Sequence, residues 1–312
     1  MMLINKIKSQ LRYLRNQCTG KYPEKKISRD KKEKETYYII RRNGDSGFFS
    51  NYLYVLGHIN YARRKGYFPV VDMKNYPTVY NECEPVNGTM NSWEYYFYQP
   101  EKSSLEKAYV ANNVILSSCL YPSEYTVQYV GKKQLLTADK IAELNKVIAE
   151  NILIRQEIVE KFDYQWKEMN KSLDGKNLGV HIRGTDMNYC KGHPRPKKVE
   201  CFIDEINKIM QMSYYKNIFL CTDEQAITDR FNEEYGSHVF FCDSYRAEKG
   251  DIVGVHLAKG CPRDQHRYKL GLEVLRDAYY LSKCDSLICG DSNVPLAAML
   301  FNNNQYEKVI KL

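Results

Sequence analysis

Apolar and polar positions change their period along this chain, and the change divides it into two halves. In the C-terminal half, short apolar runs alternate with longer segments of helical spacing. Strands are predicted over 177–183, 217–221, 238–241 and 285–289, and helices over 198–211, 224–235, 269–282 and from Val294 to Phe301. Alternation of this kind implies a parallel sheet with helices on both faces. The N-terminal half is less regular. A strand over 36–41, a helix from Asn51 to Lys65 ended by Gly66, and a strand over 67–72 make one βαβ unit. The loop 42–50 lies at the helix N-terminus, where backbone N–H groups gather anions, although Gly44 and Gly47 do not complete a GxGxxG motif. Residues 75–105 are aromatic and irregular: either a loop packed by its own rings or a lip that binds a ligand. One or two helices over 137–170 bridge to the second half.

Candidate chemistry concentrates at the end of the 177–183 strand. Leu178-Gly-Val-His-Ile-Arg-Gly-Thr-Asp186 carries His181, Arg183 and Asp186 within six residues. Strand alternation places His181 and Arg183 on one side. Arg183 offers a planar fork of donors suited to a phosphate or pyrophosphate, at the strand end where ligands bind in open α/β sheets. The plainer alternative is an ion pair between Arg183 and Asp186. Thr222 and Asp223, after the next strand, read as caps of the following helix. Ser292 and Asn293, just before the last helix, can donate hydrogen bonds at its positive end, or Ser292 can serve only as its cap. Asp277, on the sheet side of its helix, could accept from the two-donor edge of a guanine, and His181 could bond the same base.

Charge is unevenly spread. Of the net +8, residues 1–35 hold a surplus of seven, with eleven Lys/Arg against four Asp/Glu. In that tail Leu3, Ile4, Ile7, Leu11 and Leu14 recur at helical spacing among Lys6, Lys8, Arg12 and Arg15. A basic amphipathic helix on an anionic membrane surface is one reading and a solvated terminus the other. The stretch is too short and polar to span a bilayer. A nucleic-acid partner is not expected, since the rest of the chain is near neutral and carries no recognition motif. Ten cysteines form no disulfide framework and no CxxC pair, so a reducing, cytoplasmic setting is expected, with no metal site. The 27 tyrosines suit surfaces that stack on sugars or lie near membranes.

The His181-x-Arg183-x-x-Asp186 pattern resembles the motif of the fucosyltransferases, namely the α1,6, α1,2 and peptide O-fucosyltransferase groups. Phe219-Leu-Cys-Thr-Asp-Glu224 is similar to the family's second strand and its Thr-Asp turn. Leu270 to Asp277, Leu281 to Asp285 and Cys289-Gly-Asp-Ser-Asn293 resemble its closing helix, strand and phosphate loop. The likeness runs over roughly residues 176–305 and is weaker in the first half. It implies a GT-B-like α/β fold, two Rossmann-like domains facing across a cleft. The division expected is a basic tail and linker (1–35), an acceptor-side domain (36–172) and a nucleotide-sugar-binding domain (173–312). It implies donor contacts from His181, Arg183, Asp277, Ser292 and Asn293, with a donor loop at Gly47, Phe49 and Ser50.

Two departures stand out. Gly184 occupies a position where the α1,6 and α1,2 groups carry a second Arg, so that charge would come from elsewhere, such as Arg267 or Lys269. The stretch Tyr189 to His193 lacks the Glu base of the α1,6 group. Asp186 is then the expected catalytic base beside Arg183, with a purely structural role for it equally open, and His193 also lies nearby. The expectation is a metal-independent, inverting glycosyltransferase. It would need no cofactor and would move fucose, or a related deoxysugar or heptose, from a GDP-sugar to a glycan or glycolipid acceptor. A bacterial surface glycan, capsule or lipooligosaccharide, would suit an enzyme on the inner membrane face. The alternative is a non-catalytic GDP-binding partner of a glycan-assembly complex.

Overall fold

The computed structural model describes residues 23–29, 35–42, 44–100, 103–120, 122, 136–171, 173–184, 195–211, 214–248, 254–257, 260 and 262–312. The amphipathic segment 3–15, Asp186 and His193 lie outside the described residues. The chain divides into two units, residues 1–127 with 147–154, and residues 128–146 with 155–312.

The first unit is a four-stranded sheet. Its strands are β1 (Lys25–Ser28), β2 (Tyr37–Arg41), β3 (Phe68–Asp72) and β4 (Asn113–Leu116), in the order β1-β4-β2-β3. β2 runs parallel to β3 and β4, and β1 pairs antiparallel with β4. α1 (Phe48–Arg64) crosses between β2 and β3, and Gly66, at φ +71°, supplies the left-handed turn behind it. α2 (Leu105–Val110) covers the other face, where Leu105 and Ala108 pack with Tyr37, Ile39, Val70 and Val114.

β1 lies inside the stretch expected to be a lysine-rich linker. Its Lys-Lys-Ile-Ser sequence has one apolar position, which is all an edge strand paired on one side needs. The aromatic region is a self-packed loop. Tyr80, Trp93, Tyr95, Tyr96 and Phe97 are buried, and Phe48, Phe49 and Tyr52 of α1 join them. The cavity among these rings is only about 20 Å³, room for one water and not for a sugar ring. Tyr98 is the member of this group that stays exposed.

Helices α3 (Ala138–Asn151) and α4 (Gln156–Asn170) follow. The expected boundary at 172/173 and the division at 154/155 differ by α4, which belongs with the second unit. The second unit holds a wholly parallel five-stranded sheet, order β7-β6-β5-β8-β9, with β5 (Lys176–Ile182), β6 (Tyr215–Thr222), β7 (Val239–Phe240), β8 (Ser286–Cys289) and β9 (Lys308–Lys311). α5 (Val199–Met210) and α6 (Gln225–Tyr235) cover one face, packing Phe202, Ile206 and Phe231 on Leu178, Val180 and Ile182. α7 (His266–Leu281) lies on the other face with α4, whose Trp166 meets Phe219 edge-on and Tyr280 at 5.0 Å between ring centroids. α8 (Asn293–Asn302) packs against α7. Gly179 explains the tight seat of α7: a Cβ there would stand 3.1 Å from Leu281 and 3.2 Å from Cys284.

Candidate functional site

The order of the second sheet creates a crevice by itself. From β5 the chain adds β6 and β7 on one side, then returns to add β8 and β9 on the other. The loops after β5 and β8 therefore leave in opposite directions, and ligands bind at such a switch point. Gly290 N donates to His181 O at 3.4 Å there, joining the two strand ends.

One cross-strand row faces the α7 side. His181 stands beside Cys221 of β6 and Cys289 of β8, and the Cys221 thiol donates to the Asp277 carbonyl oxygen at 3.8 Å. His181 is 5 % exposed and none of the described residues bonds its Nδ1. Burial lowers its pKa to about 4, Arg183 adds to the effect and Asp223 opposes it, so the ring is neutral near pH 7. Cys221 and Cys289 are free thiols held protonated by burial. They act as small hydrophobes in this layer.

Asp277 projects from α7 near the same row. Its side chain is half-buried, and none of the described side chains or backbone N–H groups donates to its carboxylate. Burial pushes its pKa up to about 7; Glu273 pushes the same way, while Arg276 and Arg246 pull it down. A half-buried carboxylate to which no described residue donates keeps its acceptor capacity for water or a ligand. Around it the wall is tied firmly. Arg263 makes a fork to Glu273, at 2.5 and 2.8 Å, and Glu273 accepts from Tyr245 N at 3.2 Å. Arg246 and Arg276 bond backbone oxygens of the loop after β7.

Arg183 leaves β5 at the crevice. Its partner is Asp223, at 2.9 Å, with the two side chains 23 % and 13 % exposed. The other oxygen of Asp223 accepts from Gly184 N at 2.9 Å. Asp223 therefore holds the Arg183 turn and is not the helix cap expected of it; Glu224 takes the N-cap position of α6. Thr222 does play a capping part, accepting from Glu224 N at 3.3 Å. Asp186, the partner expected from sequence, lies outside the described residues. At Gly184 an added Cβ would fall 2.0 Å from Glu224 Oε1, so a carboxylate occupies the space beside this glycine.

Past β8, Ser292 is the N-cap of α8 and accepts from Val294 N at 3.4 Å, and Asn293 opens the helix. Ser292 has the extended backbone of an N-cap; within the first turn Val294 N is given to Ser292 Oγ and Pro295 carries no N–H, so what α8 offers an anion is chiefly its positive end.

No family model matches the chain, and no curated protein sequence matches it. Solved structures do match. The α1,6-fucosyltransferase NodZ crystallised with GDP aligns at a TM-score of 0.52 and 19 % identity, over 86 % of this chain and 93 % of that one. NodZ from Bradyrhizobium aligns at 0.51 and 18 % identity, over 86 % and 94 %. The chain has the fold of these fucosyltransferases.

Within this fucosyltransferase fold, the structure brings His181, Arg183 and Asp277 of the expected donor contacts around the end of β5, and Ser292 and Asn293 to the adjoining end of β8. The glycine loop belongs to the first unit and is described there alone. Phe49 is a core residue, its ring packed on Phe48 and Tyr52, so its side chain serves packing. At Gly47, the N-cap of α1, a Cβ would meet nothing within 4 Å. Ser50 is half-buried, its Oγ 3.5 Å from Arg42 Nη2. Sequence reasoning missed Asp223 as the partner of Arg183. The predicted neighbourhood of the two strands was the available signal, since parallel strand ends in register bring their following residues together. Among the described residues no group of three or more His, Cys, Asp or Glu could hold a metal, and no helix is long and apolar enough to cross a membrane.

Proposed function

We propose that this protein is a glycosyltransferase that takes its sugar from a GDP-sugar, with GDP-fucose the leading donor. The observation that carries the reading is the half-buried Asp277 carboxylate, to which none of the described residues donates, close to the row that holds His181, whose Nδ1 none of the described residues bonds. A guanine edge has the two N–H donors that Asp277 lacks. Arg183, held by Asp223, and the N-terminus of α8 with Ser292 and Asn293 then take the diphosphate. The NodZ structures crystallised with GDP or soaked with GDP-fucose support the same donor class.

In the proposed mechanism, Arg183 and the positive N-terminal end of α8, with Ser292 and Asn293, stabilise charge that grows on the leaving diphosphate, which makes a metal unnecessary. Asp186, three residues beyond Arg183, takes the acceptor's proton as the anomeric carbon is attacked from the opposite face. The acceptor is proposed to be a glycan or glycolipid of a bacterial surface polymer, reached from the cytoplasmic membrane face through the basic N-terminal segment. Because β1 belongs to the first sheet, the deletion that tests the membrane role is residues 1–22; retained binding to anionic vesicles would refute it.

The second reading, GDP binding without catalysis, draws on Glu224, whose carboxylate crowds Gly184 beside Arg183. Hydrolysis of GDP-fucose in the absence of acceptor separates the two. Slow release of fucose, lost in Arg183→Ala and reduced mainly in kcat by Asp186→Asn, supports the enzyme. GDP binding with no release above the uncatalysed rate supports the partner.

A further inference from the structure

The cross-strand row at the end of the second sheet continues one strand further, onto β9. Cys221, His181 and Cys289 are followed by Lys311 of β9, paired in register with Cys289. Ile310 and Leu312 pack into the apolar cluster under α5 and α6, so alternation turns Lys311 to the opposite face, the one that carries α7 and α8. Leu312 N donates to Cys289 O at 3.0 Å and pins the end of β9 against β8.

The Lys311 ammonium pairs with Asp291, and the two side chains are only 16 % and 18 % exposed. The contact is one of charge, because Asp291 Oδ1 has no partner at hydrogen-bonding geometry. Asp291 immediately precedes Ser292, the N-cap of α8, and the first turn of α8 carries no acidic residue of its own. A carboxylate beside this helix N-terminus is attracted by the same partial positive charge that would hold a phosphate. Left uncompensated, it would oppose any anion arriving there, and its burial would leave that repulsion little screened by salt.

We infer that Lys311 is a positioning residue of the diphosphate site, which neutralises Asp291 so that the N-terminus of α8 can accept a nucleoside diphosphate. The inference rests on the GDP reading above. It assigns Lys311 an action through Asp291 and no contact with the reacting atoms. It also gives β9, a short edge strand, a part in the site.

The test is a double-mutant cycle read by calorimetric titration at pH 8 with GDP and with guanosine, using the full chain. Wild type, Lys311→Met, Asp291→Asn and the double variant are compared. Lys311→Met should weaken GDP by about tenfold or more, as expected when one member of a partly buried charge pair is left alone, and leave guanosine within about twofold. Asp291→Asn should bind GDP at least as well as wild type. The double variant should recover to within about threefold of wild type, because both charges are gone. If Lys311→Met does not fold, the double variant and Asp291→Asn carry the test with the same expectations. GDP binding unchanged in Lys311→Met overturns the inference. So does a double variant as weak as Lys311→Met, which would mean direct contact between Lys311 and phosphate, or an equal loss for guanosine. Failure of the wild type to bind GDP at all is seen before any variant is made and sinks the GDP reading together with this inference.

Discussion

The two sheets meet the same topological problem and end it differently. In each, the central strand has its successor on one side and a later strand on the other. At the end of β2, Arg41 donates from Nε to Ser117 O at 2.8 Å and from Nη2 to Pro23 O at 2.9 Å. Arg42 donates to Asn51 Oδ1 at 2.9 Å and Ser46 Oγ at 2.7 Å, with its guanidinium 4.5 Å above the Tyr54 ring. These cations are committed to neutral oxygens and rings of their own unit. At the end of β5 the guanidinium of Arg183 is also held, by the carboxylate of Asp223, while none of the described residues bonds His181 Nδ1 or donates to the half-buried Asp277 carboxylate on α7. A buried polar atom left unpaired costs about 1–3 kcal/mol, and the first unit carries such atoms too, at Asn60 Nδ2 and Asn151 Oδ1. What sets the end of β5 apart is position: the unpaired nitrogen of His181 and the ion-paired Arg183 stand at a switch point, where ligands bind in such sheets.

The largest effect should come from the filled region. Trp93→Ala removes a buried ring stacked 4.4 Å from Phe97, and should cost about 3–5 kcal/mol of stability. GDP affinity per folded molecule should not change. Denaturant titration followed by binding to the folded fraction checks both; a loss of affinity without loss of stability would break the contrast between the units.

Arg183→Ala should cost about 1.5–3 kcal/mol of GDP affinity, the range for hydrogen bonds to charged groups. Guanosine, which lacks the diphosphate, should lose little. Equal losses for both ligands in calorimetry would place Arg183 outside the phosphate contact.

A smaller effect sharpens the role of Asp277. Its carboxyl must be ionised to accept two N–H donors, and in the free protein burial raises its pKa to about 7. GDP affinity should therefore rise by about tenfold between pH 6 and pH 8 and level off above, and Asp277→Asn should flatten the profile. Stability has the opposite sign. A folded pKa above the unfolded one means that the native state binds the extra proton, so stability is lost as pH rises from the ordinary aspartate range through about 7. Asp277→Asn should then be more stable than wild type at pH 8. His181, already neutral above about 4, does not titrate in this window. A GDP affinity independent of pH over 6–8 would remove Asp277 from the base contact.

Much of the second unit could be read from periodicity. β5, β6, β8 and helices α5 to α8 sit within a few residues of their predicted spans, because each buries a long apolar face. β1, α2, β4 and β9 were not predicted. They are four to six residues long, and β1 and β9 each carry two lysines in four residues, patterns that only pairing with a neighbour turns into strands. The site was legible as far as residue chemistry goes: His181, Arg183, Asp277 and Ser292 are brought to the ends of β5 and β8. What sequence could not show is who compensates whom. Asp223 reads as a helix cap until β5 and β6 are laid in register, and Asp291 meets Lys311 only through an edge strand that has no periodic signal. Phe49 followed a glycine loop and invited a ligand role, but its ring is drawn into an aromatic core assembled from residues forty positions away.

The most direct test is a thermal-shift panel of GDP, UDP, CDP and ADP, each with and without EDTA. At a hundredfold excess over its dissociation constant a ligand adds about 2.7 kcal/mol of stability. A shift with GDP alone, indifferent to EDTA, is the result this account predicts. An equal shift with UDP or ADP, or none with GDP, would contradict the assignment of Asp277 and His181 as the reader of a guanine.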